Sequence, residues 1–120
     1  MLMSFRSDNV ECVILAAGSS SRLGMDKALV NVGSQTLISW ISRRLSSRVA
    51  NITIVANESN FAEITKIVSD VNVILNRNPH EGRTGSLKVG IDSIDSSGVE
   101  DYRLLVVPVS YTHLTLPTKA

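Results

Sequence analysis

Two glycines and two cations lie in one short loop near the start of the chain, directly after an apolar run. They are Gly18, Arg22, Gly24 and Lys27. Glycine lacks a Cβ, so backbone N–H groups in such a loop can approach phosphate oxygens closely. A guanidinium binds phosphate through paired hydrogen bonds, and a lysine adds a mobile positive charge. The loop therefore predicts a cradle for the phosphates of a nucleotide; the alternative is a surface turn with two solvated cations.

The spacing of this loop differs from that of two common nucleotide-binding motifs. Five residues separate Gly18 from Gly24, and Lys27 comes three positions later, followed by Ala28. A P-loop places its lysine directly after the second glycine, with a serine or threonine next. The G-x-G-x-x-G fingerprint of dinucleotide-binding folds is also absent from the sequence. The spacing argues against a P-loop NTPase and against a dinucleotide-dependent oxidoreductase.

The elements that must position this loop follow an alternating pattern. Residues 10–17, before the loop, are almost continuously apolar, which predicts a strand buried on both faces. Helical spacing of apolar residues then alternates with further short apolar runs. This alternation predicts an α/β fold with parallel strands and right-handed crossovers. The further predicted strands are residues 51–56, 71–75 and 104–107, the last stopped by Pro108, and the predicted helices are residues 34–48, 60–68 and 84–95.

The helices also carry start signals and apolar faces. Ser34 or Thr36 can cap the first helix, and Asn60 with Glu63 can form a capping pair for the second. Residues 28–33 predict a short extended piece that closes in a turn. The side chains expected to face the core are Leu37, Ile38, Trp40, Ile41 and Leu45 in the first helix, Phe61, Ile64, Ile67 and Val68 in the second, and Leu87, Ile91 and Ile94 in the third.

A second group of small and polar residues follows the third predicted strand. Gly82 and Gly85 allow a tight backbone, while Thr84 and Ser86 place hydroxyl and free N–H groups at a helix start. Open α/β sheets bind ligands at the carboxyl ends of their strands, and helix N-termini bind anions. We expect this segment to read a base or ribose, or to hold an anion; the alternative is a helix cap plus a turn. Gly90, inside the helix, predicts a close approach to a neighbouring element.

Size and composition narrow the class of protein. The 120 residues suffice for at most one domain, and 43% of them are hydrophobic, enough for a core. A net charge of +1 without a basic cluster argues against binding to nucleic acid or to a membrane surface. Cys12 is the single cysteine, so we expect inert core and neither an internal disulfide nor a cysteine-based zinc site. Residues 1–9 read as a leader that lacks the apolar stretch of a signal peptide, and we expect a cytoplasmic protein.

The first loop resembles the signature L-x-A-G-x-x-x-R-x-G-x-x-K of the MobA-like nucleotidyltransferases. Every fixed position is met, by Leu15, Ala17, Gly18, Arg22, Gly24 and Lys27. The second segment resembles the stretch N-P-x-x-E-G-x-x-x-S-L-x-x-G of molybdenum cofactor cytidylyltransferases, with Glu81 one place closer to the proline. Its matches are Asn78, Pro79, Gly82, Ser86, Leu87 and Gly90. The resemblance implies a Rossmann-like, open and mostly parallel sheet with flanking helices, of the nucleotide-diphospho-sugar transferase type.

The resemblance also implies an activity, the transfer of CMP from CTP to the phosphate of molybdopterin with release of pyrophosphate. Arg22 and Lys27 would be the catalytic residues, holding the triphosphate and offsetting charge in the transition state. Alternatives are a guanylyltransferase, a cytidylyltransferase with an isoprenoid, sugar-phosphate or phosphocholine acceptor, and a non-catalytic nucleotide-binding protein. The nucleotide-binding residues implied by the resemblance are Leu15, Ala16, Ala17, Gly18, Ser19, Arg22, Gly24, Lys27, Asn78, Gly82 and Ser86.

The end of the chain departs from the family. The pattern L-x-x-P-x-D-x-P after the fourth strand implies an aspartate for Mg²⁺, the cofactor expected in the intact enzyme. This chain has Ser110 there, a poor magnesium ligand, so no metal residue is assigned. Residues 109–118 resemble one reading frame of a sequencing adapter, so we expect 10–108 to be the N-terminal, nucleotide-binding part of a nucleotidyltransferase domain and 109–120 a non-native tail. A truncated sheet would expose an edge and an uncovered apolar face, and we expect this chain to be inactive and either poorly soluble or partly disordered.

Overall fold

The computed structural model describes residues 9–18, 27–78 and 82–109. Its strands and helices alternate along the chain, as the sequence predicts. In order they are β1 (Val10–Ala16), a 3₁₀ turn (Lys27–Leu29), β2 (Asn31–Val32), β3 (Gln35–Thr36), α1 (Leu37–Leu45), β4 (Asn51–Ala56), α2 (Phe61–Ile67), β5 (Asn72–Leu75), α3 (Gly82–Ser96) and β6 (Arg103–Pro108).

Four of these strands form one parallel sheet in the order β5-β4-β1-β6. Cys12 of β1 lies opposite Ile52 of β4 on one side and opposite Leu105 of β6 on the other. The chain passes from β1 to β4 to β5 through α1 and α2, then returns through α3 to β6. This confirms the α/β fold with a parallel sheet. The strand order reverses at β1, and open α/β sheets bind ligands at the carboxyl ends of the strands where it does so.

Helices cover both faces of the sheet, so β1 is buried along its whole length. Alternate residues of a strand point to opposite faces. We name each face of the sheet after a helix that packs on it. The α1 face is covered by α1 and α2. It buries Cys12, Ile14 and Ala16 of β1 together with Leu37, Ile38, Ile41, Ile54 and Ile64. The α3 face buries Val13, Leu15 and Ala17 together with Val55 and Ile94.

The segment between β1 and α1 differs from the prediction. Residues 28–33 are not one extended piece: a 3₁₀ turn leads into a small antiparallel hairpin of β2 and β3. Gly33 turns this hairpin with a φ of +68°, a conformation that glycine adopts without strain. Thr36, and not Ser34, caps α1, because its Oγ1 accepts a hydrogen bond from Ser39 N at 3.3 Å. The helix then ends at Leu45, before the predicted Arg48.

Three predictions about helix caps and faces are also corrected. Asn60 precedes α2, but its side chain makes no capping hydrogen bond, so the predicted pair with Glu63 is wrong. Val68 follows α2 in an extended conformation instead of lying on the helix. The buried residues of α3 are Ser86, Gly90 and Ile94, and Ile91 of the predicted stripe is half-buried.

In the part of the chain that the structure describes, β6 forms an edge of the sheet. Leu104 and Leu105 on this strand are 39% and 38% exposed. Pro108 does not end the strand at Val107, as predicted, but is itself the last residue of β6. Val109, the first residue of the expected tail, is buried in the α1-face core. Residues 110–120 lie outside the described ranges, so their assignment as a tail stays a prediction, as do inactivity and low solubility. Among the described helices, none has the length and apolar character needed to span a membrane.

Candidate nucleotide-binding site

The first loop begins at the carboxyl end of the central strand. Leu15, Ala16 and Ala17 are buried beneath the helices, and Gly18 is exposed. Beyond the chain neighbours of Gly18, no described atom lies within 4 Å of the place where a Cβ would stand. None of the described residues therefore blocks a ligand from approaching the backbone at Gly18 on this side.

Most other predicted residues of this loop lie outside the described part of the chain. They are Ser19, Arg22 and Gly24. Lys27 begins the 3₁₀ turn, but its side chain is not described. The roles of these residues in binding phosphate stay predictions.

Asn57, which the sequence prediction omits, contacts the start of this loop from the end of β4. Its Nδ2 donates to the carbonyl oxygen of Ala17 at 3.1 Å and lies 3.4 Å from that of Gly18. Its Oδ1 accepts from the backbone N–H groups of Ser59 and Asn60, both at 2.9 Å, and from Ser59 Oγ at 2.8 Å. The result is an Asx turn whose amide group also reaches the start of the loop that follows β1.

Asn60 is also used across the sheet, which explains why it does not cap α2. It is fully buried, its Nδ2 donates to the carbonyl of Ala16 at 2.9 Å, and its Oδ1 accepts from Asn57 N at 2.9 Å. The local sequence Asn-Glu-Ser-Asn after a strand is typical of an Asx turn, so a local signal exists for the turn but not for its contacts with β1.

The second segment is organised by a buried hydrogen bond. Asn76 Nδ2 donates to Ser86 Oγ at 2.9 Å, and both residues are buried. Asn76 Oδ1 accepts from Asn78 N at 2.9 Å, and Asn76 N donates to the carbonyl of Ala56 at 2.8 Å. Two predicted site residues, Asn78 and Ser86, are thus brought together by Asn76, which the site prediction omits.

Two glycines set the position of α3. Gly82 begins the helix with a φ of +76°, which favours glycine. A Cβ on Gly90 would lie 2.8 Å from Val13 Cγ1 and 3.3 Å from Val55 Cγ2, closer than side chains ordinarily pack. The close approach predicted for Gly90 is confirmed. It lets α3 contact both β1 and β4, and Ser86 stands about one helical turn before it.

The polar groups described at this edge include backbone, amide and hydroxyl groups and one exposed ion pair, in which Arg77 Nη1 lies 3.9 Å from Glu58 Oε2. Within residues 9–18, 27–78 and 82–109, no group of three or more His, Cys, Asp or Glu residues could hold a metal ion. Mg²⁺ is bound in proteins mainly through carboxylate oxygens and waters, so the described residues do not fit a magnesium site. Ser110 lies outside the described ranges.

Both predicted segments therefore follow parallel strands of one sheet, and a family comparison covers them together. Residues 12–109 match the sequence model of the MobA-like NTP transferase domain. The chain belongs to the MobA-like NTP transferase family. The match runs from β1 to the residue after β6, and it confirms the resemblance that the first loop carries.

Among curated proteins, the chain is 45% identical over 53 residues to a molybdenum cofactor guanylyltransferase of Sinorhizobium fredii (strain NBRC 101917 / NGR234), which covers 42% of this chain and 24% of that protein. This relative is a guanylyltransferase, whereas the second segment resembles the cytidylyltransferases.

Two solved structures share the fold. Rv0371c from Mycobacterium tuberculosis H37Rv superposes with a TM-score of 0.64 at 17% identity, over 87% of this chain and 53% of that one. Its homolog from mycobacterium sp. strain JC1 gives 0.63 at 21% identity, over 87% and 52%. This member of the MobA-like family thus spans about half the length of either solved structure and about a quarter of the curated relative.

Proposed function

We propose that this member of the MobA-like family is the nucleotide-binding part of a nucleotidyltransferase. In the reaction, an oxygen of a phosphorylated acceptor attacks the α-phosphorus of a nucleoside triphosphate. The bond from that phosphorus to the α–β bridging oxygen breaks, and pyrophosphate leaves. The observation that carries the proposal is the position of the first loop, which follows the central strand where the strand order reverses.

Transfer at phosphorus depends mainly on positioning and on neutralising negative charge. Arg22 and Lys27 hold the triphosphate and offset the charge that develops in the transition state. The backbone of residues 15–19 contacts the nucleotide beside them. The buried pair of Asn76 and Ser86 shapes the loop after β5, which selects the base.

The base and the acceptor are the finer part of the proposal. The second segment favours CTP, but the Sinorhizobium fredii relative carries the name of a guanylyltransferase. We therefore propose GTP as the nucleotide, with CTP as the alternative. The same name supports a molybdopterin phosphate as the acceptor.

Mg²⁺ is proposed only for the longer protein, by which we mean the full-length nucleotidyltransferase of which this chain would be the nucleotide-binding part. There it would neutralise the negative charge of the two reactants. The described residues offer no carboxylate cluster for it, and the position that the family pattern gives to aspartate holds Ser110. No step is therefore assigned to a metal on this chain.

Nucleotide binding by the 120-residue chain is the direct test. We expect saturable binding of GTP or CTP that Arg22→Ala and Lys27→Ala weaken. In the longer protein each variant should lose about 2–4 kcal/mol of transition-state stabilisation, measured through kcat/KM, as for the loss of one preorganised electrostatic group. Arg48→Ala and Lys66→Ala, which remove exposed cations elsewhere, are the matched controls. Unchanged binding and turnover in both loop variants would contradict the proposal.

A non-catalytic nucleotide-binding protein is the second candidate, favoured by Ser110 at the expected aspartate position. Both candidates bind a nucleotide, so binding alone does not separate them. Sequencing the source gene beyond the codon for Pro108 does. An aspartate two codons later with a long open frame supports the transferase, whereas a serine there and a stop after Ala120 support the binding protein.

A further inference from the structure

The backbone pairing of β1 with β4 ends at Ala16, just before the first loop. Beyond that point two side chains continue the contact. Asn60 Nδ2 donates to the carbonyl of Ala16 at 2.9 Å, and Asn57 Nδ2 donates to that of Ala17 at 3.1 Å. The carbonyl oxygen of Gly18 lies 3.4 Å from the same Asn57 nitrogen. Three consecutive carbonyl groups are therefore held by amides that follow β4.

The orientation of both amides is fixed by their other contacts. Asn57 Oδ1 accepts from the N–H groups of Ser59 and Asn60, and Asn60 Oδ1 accepts from the N–H group of Asn57. Turning either amide over would place its NH₂ group against N–H groups, which cannot accept a hydrogen bond. Both NH₂ groups are thus directed at β1 before any ligand binds.

The held carbonyl groups decide where the next N–H groups point. In a planar trans peptide the C=O and the following N–H point in opposite directions. With the Ala17 carbonyl drawn toward Asn57, the N–H of Gly18 points away from it, and Gly18 has no side chain in the way. A loop binds an anion through its backbone only when such N–H groups are aimed together. A loop that the ligand must first order binds less tightly than one already arranged.

We infer that Asn57 and Asn60 are positioning residues for nucleotide binding, acting through the backbone of residues 16–18 without touching the ligand. The inference rests on the proposed function, because it assigns how the first loop is arranged for the nucleotide. It adds two residues from a different strand connection to a site that the sequence motif confines to the loop after β1.

Asn57→Ser tests the inference with little damage to the fold. A serine hydroxyl can still accept from the N–H groups two and three residues later, as it does in ST turns, but it is too short to reach the carbonyls of Ala17 and Gly18. Asn60 is fully buried, so substituting it would destabilise the protein directly. For Asn57→Ser we expect the Kd for GTP or CTP to rise about tenfold, the effect of losing hydrogen bonds that order the site.

Asn51→Ser is the matched control, since it makes the same substitution at the opposite end of β4. Asn51 Nδ2 donates to Glu11 Oε2 at 2.9 Å, so this variant also removes a hydrogen bond between β4 and β1. We expect its Kd to stay within about twofold of the unaltered chain while its Tm falls at least as far as that of Asn57→Ser. The amide chemical shifts of residues 17 and 18, which report the orientation of their peptide groups, should change in the ligand-free Asn57→Ser chain and stay as they are in Asn51→Ser.

The outcomes separate the inference from the proposed function. If Asn57→Ser binds nucleotide as tightly as the unaltered chain, or if both variants lose affinity in proportion to Tm, the positioning role is wrong and the proposed function stands. If the unaltered chain binds no nucleoside triphosphate, the proposed function fails and this inference fails with it.

Discussion

The two faces of the sheet are built from different kinds of side chain. On the α1 face, Ile38 and Ile41 recur at helical spacing and are almost completely buried. On the α3 face the buried residues of the helix are Ser86, Gly90 and Ile94, about one in each turn, and only the last is large. The helix α1 is therefore held on the sheet by the burial of large apolar side chains, whereas α3 is held by the close approach of its backbone to the sheet.

This difference bears on the candidate site. Large side chains keep a helix at an ordinary distance from a sheet, whereas Gly90 lets α3 come into direct contact with Val13 and Val55. The same helix carries Ser86, which accepts the hydrogen bond from buried Asn76. We expect substitutions in α1 to change stability alone, and substitutions in α3 to change stability and nucleotide affinity together.

Ile38→Ala should have the largest effect on stability. Ile38 is fully buried in the α1-face core, so its truncation loses apolar burial and leaves a cavity. We expect the free energy of unfolding, measured in urea, to fall by about 2–5 kcal/mol. Leu104→Ala is the control: Leu104 is 39% exposed at the sheet edge, and its truncation should cost about 1 kcal/mol or less. Similar losses in both variants would show that the α1 face does not dominate stability.

The pKa of the Cys12 thiol reports how well the core on the α1 face excludes water. Burial raises the pKa of its thiol from 9.0 to about 11. The unfolded chain loses this proton at lower pH than the folded chain, so the stabilising contribution is complete below pH 9 and is lost as the pH rises to about 11. Over this range the unfolding free energy of the unaltered chain should fall by roughly 2–3 kcal/mol more than that of Cys12→Ala.

The comparison with Cys12→Ala is needed because a second acidic group, the phenol of Tyr102, also has a raised pKa. Loss of solvation and the hydrogen bond that Tyr102 donates to Asp95 raise the pKa of the phenol. Tyr102 is present in both proteins, so its contribution cancels in the difference. Equal pH dependence in the two proteins would mean that water reaches Cys12.

The strands could be predicted from the sequence because a central parallel strand is apolar on both faces. Residues 51–56 are predicted and found as β4, with every residue after Asn51 buried. Helix ends and the hairpin of β2 and β3 are harder to predict from the sequence, since they depend on single capping and turn residues such as Thr36 and Gly33. Several neighbouring residues can each serve as the cap or the turn residue, as Ser34 and Thr36 could for α1, so the sequence does not specify which one sets the boundary.

The candidate site could be predicted only where the motif is contiguous. The spacing of Gly18 and its neighbours identifies the loop, but Asn57 and Asn60 contact Ala17 and Ala16 across 40 and 44 residues of sequence. Nothing near either asparagine indicates that contact, because the fold alone brings the two strands together. Asn76 was missed for a related reason: it resembles any loop asparagine until α3 packs against the sheet and Ser86 reaches it.

Gly90→Ala tests the close fit of the α3 face. The added methyl group would meet Val13 Cγ1 at 2.8 Å, so Val13 or α3 must shift. Val13 is fully buried and has little room, so we expect α3 to move away from the sheet. After the gain of about 1 kcal/mol that alanine has over glycine in a helix, we expect a net loss of about 1–2 kcal/mol. Nucleotide affinity, measured by equilibrium titration, should fall as well because Ser86 moves with the helix.

A double variant tests whether Gly90→Ala destabilises the protein through a steric clash with Val13. Val13→Ala removes the methyl group that the new Cβ would meet. The combined loss of stability should therefore be smaller than the sum of the two single losses. Additive losses would show that the helix is held at its position by contacts other than the one with Val13.

Thr36→Ala should have the smallest effect and should leave nucleotide affinity unchanged. Thr36 Oγ1 accepts from Ser39 N at 3.3 Å, and without it this N–H at the start of α1 loses its side-chain partner, at a cost of about 0.5–1 kcal/mol in urea unfolding. Thr65→Ala is the matched control, because Thr65 is exposed within α2 and its hydroxyl donates to the carbonyl of Phe61, a bond that a helix does not need. If the two threonine variants are equally stable, the cap contributes nothing and the α1 face owes its stability to apolar side chains such as Ile38.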